Sequence, residues 1–279
     1  MIIAKTIDEV RKFTGEWRKQ GLSVGLVPTM GYLHEGHESL MKKACLQNDK
    51  VVVSIFVNPK QFGPNEDLEA YPRDLDKDAA LCENNDVDLI FAPEVREMYH
   101  EDASTSVIIS KLTEGLCGRK RPGHFDGVGL VVSKLFNIVK PARAYFGEKD
   151  AQQLAVVKRM VRDLSYDIEI VGCPIIREYD GLAKSSRNTY LTKTEREAAL
   201  VLSRSLFKAR DNIQAGLRDV NKIKELITCE ITREPLASID YVDIVDSETI
   251  ENVESLDKKV LIAIAVFIGK TRLIDNISI

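Results

Sequence analysis

The chain has 279 residues, a net charge of −4 at neutral pH, 44% hydrophobic residues and 29% charged ones. That length allows more than one core, the composition is that of a globular protein rather than a disordered one, and the acidic balance excludes a surface given over to nucleic acid. Five scattered cysteines, Cys45, Cys82, Cys117, Cys173 and Cys229, contain no C-x-x-C pair, which speaks against disulfides and common zinc spacings and for a reducing compartment.

The N-terminal MIIAKTIDEVRKF is interrupted by Lys5, Asp8 and Glu9, so it does not read as a secretory signal. VGLVP at 24–28 is the first buried-strand signal, and a helix is expected from Gly36 to Leu46. VVVSIFV at 51–57, a helix from Asp74 to Asn84, VDLIFA at 87–92, a helix from Val128 to Val139 and AYFG at 144–147 follow. Asp150 to Leu164 places Leu154, Val157 and Val161 at helical spacing, and YDIEIVG at 166–172 closes the series. Such alternation predicts an α/β fold with a doubly wound, Rossmann-like parallel sheet, whose ligands sit at the carboxyl ends of the strands.

Beyond about Ile175 the pattern changes. A polar loop, REYDGLAKSSRNTYLT, precedes helical stretches at Glu195–Ala209 and Val220–Ile231 and strands near Ile239–Ile244 and Val260–Ile268. A smaller C-terminal α+β domain is expected, with domains at 1–175 and 176–279. The longest apolar run, VLIAIAVFI from Val260, falls far short of the ~20 residues of a membrane span. A cytoplasmic protein with neither membrane nor nucleic acid as partner is expected.

GLVPTMGYLHEGHESL, Gly25 to Leu40, holds two of the four histidines, His34 and His37. HEGH is one residue short of the H-E-x-x-H zinc motif, which needs histidines four apart on a helix. A P-loop fits Gly31 and Gly36, but His37 and Glu38 stand where that motif has lysine and a hydroxyl. The third option is a strand-to-helix turn in which main-chain amides, glycines that permit close approach and two imidazoles all face phosphate oxygens. An isolated histidine pair is otherwise ordinary loop structure.

PTMGYLHEGHESL resembles the HIGH-type signature of the nucleotidylyltransferase superfamily, and more closely that of the pantoate–β-alanine ligase family. SIFVNPKQFGPNEDLEAYPRDLDKD, RPGHFDGVGLVVSKLFNIVKP, YFGEKDAQQ, GLAKSSRNTYL and IGKTRLIDN extend the similarity over nearly the whole chain. The resemblance implies ATP-dependent condensation of (R)-pantoate with β-alanine through a pantoyl adenylate, releasing pyrophosphate and then AMP. It implies ATP contacts from Met30, Gly31, Tyr32, Leu33, His34, Glu35, Gly36 and His37, from Gly147, Glu148, Lys149 and Asp150, and from Ile176, Lys184, Ser185, Ser186 and Arg187. His37, His34, Lys149 and Arg187 are the implied catalytic set, Gln61 and Gln153 the pantoate amides, and Gln61 also serves β-alanine.

KSSRN at 184–188 occupies the place of the superfamily's KMSKS-like loop, with Lys184 where methionine or leucine is commoner. Leu130 stands where threonine is usual, beside Val131 and Val132 as an apolar wall for pantoate. Mg²⁺ is expected with ATP; its protein ligands are open, Asp76 and Asp78 being the nearest candidates. A homodimer is implied by the family. Two other readings stand beside this one: another adenylyl- or cytidylyltransferase of the superfamily, and a nucleotide-binding protein without catalysis.

Overall fold

The computed structural model describes residues 1–64 and 66–279. Six strands, β1 (Ile2–Ala4), β2 (Val24–Thr29), β3 (Lys50–Ile55), β4 (Leu89–Phe91), β5 (Arg143–Gly147) and β6 (Glu169–Cys173), form one sheet in the order β1-β4-β3-β2-β5-β6. Every pairing in it is parallel. Parallel strands need crossovers, and the helices α1 (Ile7–Lys19), α2 (Glu35–Gln47), α3 (Leu75–Glu83), α4 (Val95–Met98), α5 (Leu116–Lys120), α6 (His124–Val139) and α7 (Ala151–Asp163) lie between them. Leu26 and Val27, Val52 and Val53, and Leu89 and Ile90 are neighbours on opposite sheet faces, and all are fully buried. A strand covered on both sides has no polar face to show, which is why these segments read as continuous apolar runs.

The chain divides into two compact units. One comprises Met1–Ile109, Arg121–Glu148 and Val156–Pro174, and the other comprises Ser110–Lys120, Lys149–Ala155 and Ile175–Ile279. The second unit thus takes in two earlier segments besides the C-terminal stretch expected from the sequence. Gln152 shows how the segment at 149–155 belongs there: its Nε2 donates to the carbonyls of Leu112 and Gly115 at 2.7 and 3.0 Å, and its Oε1 accepts from the Cys117 amide at 2.9 Å.

The C-terminal unit carries α8 (Lys193–Ala198), α9 (Leu200–Gln214), α10 (Val220–Thr232) and an antiparallel sheet of β7 (Ala237–Asp246), β8 (Val260–Ile268) and β9 (Thr271–Ser278). Leu202, Leu206, Ile223, Ile227 and Ile231 pack on Ile244, Ile262, Ile264 and Val266. β8, the central strand, is apolar along nearly its whole length because its sheet neighbours and the helices enclose it. No helix among the described residues is long and apolar enough to cross a membrane.

Three differences from the sequence expectations have plain causes. The helix expected from Val128 begins at His124, because Gly123 takes a left-handed conformation (φ 78°) that starts it four residues earlier. The single helix expected at 195–209 is two, α8 and α9, which join at Ala199. β1, α1 and β9 are additional elements. α1 is announced by a capping box in which Thr6 accepts from the Glu9 amide and Glu9 accepts from the Thr6 amide.

Candidate active site

Strand order reverses on either side of β2: β3 and β4 continue to one side, β5 and β6 to the other. In an open parallel sheet, ligands bind outside the carboxyl ends at such a switch point. The turn after β2 carries Met30 to His34, and α2 starts at Glu35; Gly147 ends β5. The sheet topology therefore puts the turn after β2 and Gly147 at the carboxyl ends of the two strands that flank the switch point.

The turn is held from inside the protein. Gly31 has φ 85° and Tyr32 φ 50°, a pair of left-handed residues that only an external clamp makes tolerable for a tyrosine. Asp78 on α3 is that clamp. Its two carboxylate oxygens accept from the Tyr32 amide at 2.8 Å and the Leu33 amide at 2.7 Å, and the Lys77 ammonium lies 4.9 Å from the Tyr32 ring centroid. A Cβ at Gly31 would meet Asp78 Oδ2 and Ile55 at 3.0 Å, so glycine there serves the turn itself. Burial pushes the Asp78 carboxyl above its ordinary value, offset in part by the amides of Leu33 and Tyr32.

The two histidines cap α2. His34 is the N-cap, with its Nδ1 accepting from the Gly36 amide at 3.1 Å, and His37 Nδ1 accepts from the His34 amide at 3.3 Å. They form a reciprocal capping box with imidazoles in place of the usual hydroxyl and carboxylate. A main-chain N–H can only donate, so each Nδ1 is an acceptor and, in the neutral ring, the proton sits on Nε2. The rings are 4.1 Å apart between centroids and tilted by 44°. Each imidazole is therefore fixed as an Nε2–H donor, and protonating Nδ1 would break the cap.

This accounting corrects one expectation. The amides of Gly31, Tyr32, Leu33, His34, Gly36 and His37 all have acceptors inside the chain, in Thr29 Oγ1, Asp78, His37 Nδ1 and His34 Nδ1. They form no anion-binding nest, and the carboxylate of Asp78 behind the turn opposes one. The turn also carries the imidazole Nε2 groups of His34 and His37, which the capping bonds do not use.

Gln61 ends a 3-10 turn, Pro59–Gln61, that follows β3, and it is buried. Asn58 accepts from the Lys60 amide at 3.2 Å through Oδ1 and donates through Nδ2 to the Gly127 carbonyl at 3.0 Å. Neither partner can reverse its role, so the orientation of Asn58 is settled. Its Nδ2 then meets Gln61 Oε1 at 3.0 Å, which leaves Gln61 Nε2 facing Met30 Sδ at 3.1 Å. Asn58 is a buried setter of polarity, held also by Tyr99 O–H at 2.8 Å. Gln61 is presented as a donor, and the structure brings it to Met30.

Glu148–Asp150 is a 3-10 turn leading into α7, with Lys149 Nζ 3.7 Å from Asp150 Oδ1. Asn276, from the IGKTRLIDN motif, donates to the Lys149 carbonyl at 2.9 Å. Asp275 binds Arg177 through both oxygens at 2.7 and 2.9 Å. That motif therefore supports its surroundings. Gln153 is half-buried on α7, next to the buried, structural Gln152.

The loop that holds Lys184, Ser185, Ser186 and Arg187 is ordered by backbone pairing. The Lys184 amide donates to the Ile176 carbonyl at 2.9 Å, and Arg177 bridges Ala183. Ser185 caps the turn Ser186–Tyr190 by accepting from the Arg187 amide at 3.3 Å. Its hydroxyl thus has a structural role that the sequence did not disclose, while Ser186 is buried.

The two aspartates considered for Mg²⁺ differ in setting. Asp78 spends both oxygens on main-chain amides, and Asp76 is exposed on α3. No cluster of three or more His, Cys, Asp or Glu suited to a metal occurs among the described residues.

An open, fully parallel α/β sheet with a strand-to-helix turn at its switch point defines a doubly wound α/β protein of the ligand-binding kind. Comparison with known proteins specifies which. The family model for pantoate-beta-alanine ligase matches residues 2–278. The pantothenate synthetase of Enterococcus faecalis is 64% identical over 99% of this chain and 98% of its own length, and that of Clostridium novyi is 60% identical with the same coverage. The crystal structure of pantothenate synthetase from Thermus thermophilus superposes with a TM-score of 0.93 at 45% identity, over 99% of both chains. A pantoate-beta-alanine ligase from Francisella tularensis, solved with beta-gamma ATP and beta-alanine, gives 0.79 at 36% identity over 99% of this chain and 97% of its own. The chain belongs to the pantoate–β-alanine ligase family, and it is a ligase that forms a carbon–nitrogen bond.

Proposed function

We propose that the chain joins (R)-pantoate to β-alanine in two steps, with the His34–His37 capping pair as the donor group for the first. The pantoate carboxylate attacks the α-phosphorus of ATP and pyrophosphate leaves. The β-alanine amine then attacks the acyl carbon of the adenylate, loses a proton, and AMP departs. A free carboxylate is a poor electrophile and an adenylate a good one, so the chain's main tasks are alignment, charge stabilisation and exclusion of water.

The observation that carries this reading is that Nδ1 of both imidazoles accepts a main-chain N–H at the switch point, which puts the proton of each neutral ring on Nε2. Negative charge grows on phosphate oxygens as the carboxylate adds, and a preorganised neutral donor stabilises it without reorganisation. His37 is the principal donor and His34 the second. Gln61 Nε2 donates to pantoate and, in the second step, to β-alanine; Gln153 is the other pantoate amide. Lys149 and Arg187 neutralise phosphate charge, arginine as a fork, and Asp150 accepts from ribose hydroxyls.

Met30 to Gly36, Gly147, Glu148, Ile176 and Lys184 to Ser186 complete the proposed ATP contacts, and the 176–279 region supplies the KMSKS-like loop. Mg²⁺ is proposed only as a companion of the phosphates, whose oxygens and water supply most ligands for this ion; none of the steps above depends on a protein-held metal.

A coupled assay with each substrate omitted in turn tests the sequence of events. Pyrophosphate release should require pantoate and ATP but not β-alanine, and AMP release should require all three. Pyrophosphate formed without pantoate would refute the first step. A cytoplasmic homodimer is also proposed, on the family resemblance and on cysteines that are all free thiols. Sedimentation at twice the 31.3 kDa chain mass is the expected result, and a monomer at micromolar concentration would oppose it.

A further inference from the structure

We propose that His124, Arg121 and Glu66 form a positioning relay that fixes Gln61 for the acid substrate. His124 opens α6 and is buried. Its Nδ1 lies 2.8 Å from the Gln61 carbonyl and its Nε2 lies 3.0 Å from Arg121 Nη1. A carbonyl only accepts and a guanidinium only donates, so the partners assign the ring as the neutral Nδ1–H tautomer. This is the opposite tautomer from that of His34 and His37.

Arg121 forks the Glu66 carboxylate with Nε at 2.6 Å and Nη2 at 2.5 Å, and Nη2 is also 3.4 Å from the Gln61 carbonyl. The polarity then runs one way, from Arg121 into Glu66 and His124, and from His124 into the Gln61 main chain. A bidentate arginine–carboxylate pair has little freedom to turn, so the donor facing Gln61 is held from behind.

α6 grips the Gln61 segment at two further points. A Cβ on Gly127 would collide with the Lys60 carbonyl, so the helix backbone rests against the 3-10 turn, and Asn58 bridges the Gly127 carbonyl to the Gln61 side chain. Gln61 is thereby fixed at its main chain by His124 and at its amide by Asn58. Misplacement of a substrate-positioning group by about 1 Å costs on the order of 10² in rate. His124 acts through Gln61 and is a positioning residue.

The inference rests on the proposed role of Gln61, and the experiment separates the two. Steady-state kinetics for pantoate and for ATP are measured on His124→Ala, His124→Asn, His124→Gln and Gln61→Ala. His124→Ala should lower kcat/KM for pantoate about 10- to 100-fold and leave the KM for ATP within about twofold. Asn can place an amide N–H where Nδ1 stood and should recover most of the loss, whereas Gln reaches only the Nε2 position and should not. Should Ala fail to fold, the contrast between Asn and Gln carries the test. Normal pantoate kinetics in His124→Ala beside an impaired Gln61→Ala would overturn the relay. So would equal losses for ATP and pantoate that Asn does not relieve. An unimpaired Gln61→Ala would instead remove the reading on which the relay stands.

Discussion

His37→Ala is expected to slow adenylate formation roughly 10²- to 10³-fold, about 2.7–4 kcal/mol, as does loss of a preorganised donor to a developing oxyanion. The capping geometry sharpens that expectation. Nδ1 of His37 is occupied by the His34 amide, so the proposed phosphate donor is Nε2. Glutamine can place an amide N–H near the Nε2 position but asparagine only near that of Nδ1. His37→Gln should therefore retain more adenylate formation than His37→Asn, which should resemble alanine. Single-turnover pyrophosphate release measures the step directly. Equal retention by Asn and Gln would contradict the Nε2 assignment, and a near-normal alanine variant would remove His37 from the mechanism. Loss of the cap itself contributes about 1 kcal/mol to stability, which thermal unfolding separates from the kinetic effect.

Asp78→Ala is the second large effect. It leaves the amides of Tyr32 and Leu33 without their acceptor, at about 1–3 kcal/mol for each buried donor left unsatisfied. The expected loss of stability is about 2–6 kcal/mol, read by chemical denaturation. The left-handed Tyr32 then has nothing to hold it, so the turn should relax and adenylate formation should fall even where the variant is folded.

The pH dependence has a definite sign. Burial raises the folded-state pKa of Asp78 above the ordinary 3.8, so across the window that starts there the native state binds more protons than the unfolded state. Its contribution is then fully present below 3.8 and declines as pH rises through the raised value. The stability advantage of the wild type over Asp78→Ala should be greatest at the acid end and shrink with rising pH. An advantage that grows with pH would show that the two amides outweigh burial.

Much of the fold was legible because buried parallel strands leave an unmistakable trace. VGLVP, VVVSIFV and VDLIFA are apolar without alternation, as strands covered on both faces must be. β1 and β9 were not legible: three residues at the chain start carry no periodicity, and β9, with Arg272, Asp275 and Asn276, looks polar because those side chains make specific bonds within the C-terminal unit. The position of the histidine turn could be read, since strand, glycines and helix follow in order.

The roles within that turn could not be read. Which atoms of a turn remain donors depends on what lies behind it, and Asp78 reaches it from 45 residues away along the chain. Separation along the chain likewise hid the contact of Asn276 with Lys149, 127 residues away, and that of Asn58 with the Gly127 carbonyl, 69 residues away, which sets the face Asn58 turns to Gln61. Nothing local shows that His124 faces the Gln61 carbonyl, 63 residues away along the chain. Side chains that position others are set by tertiary contact, which composition and spacing do not encode.

The proposed reaction requires His37 to meet ATP as a neutral Nε2–H donor while its Nδ1 still caps the helix. Long-range ¹H–¹⁵N correlation spectra of imidazole-labelled protein, recorded with and without a non-hydrolysable ATP analogue and pantoate, report the state of each ring nitrogen. An unprotonated Nδ1 and a protonated Nε2 at His37 are expected in both states, with the Nε2–H resonance moving on binding. An imidazolium in the bound state, or a proton on Nδ1 in either, would contradict it.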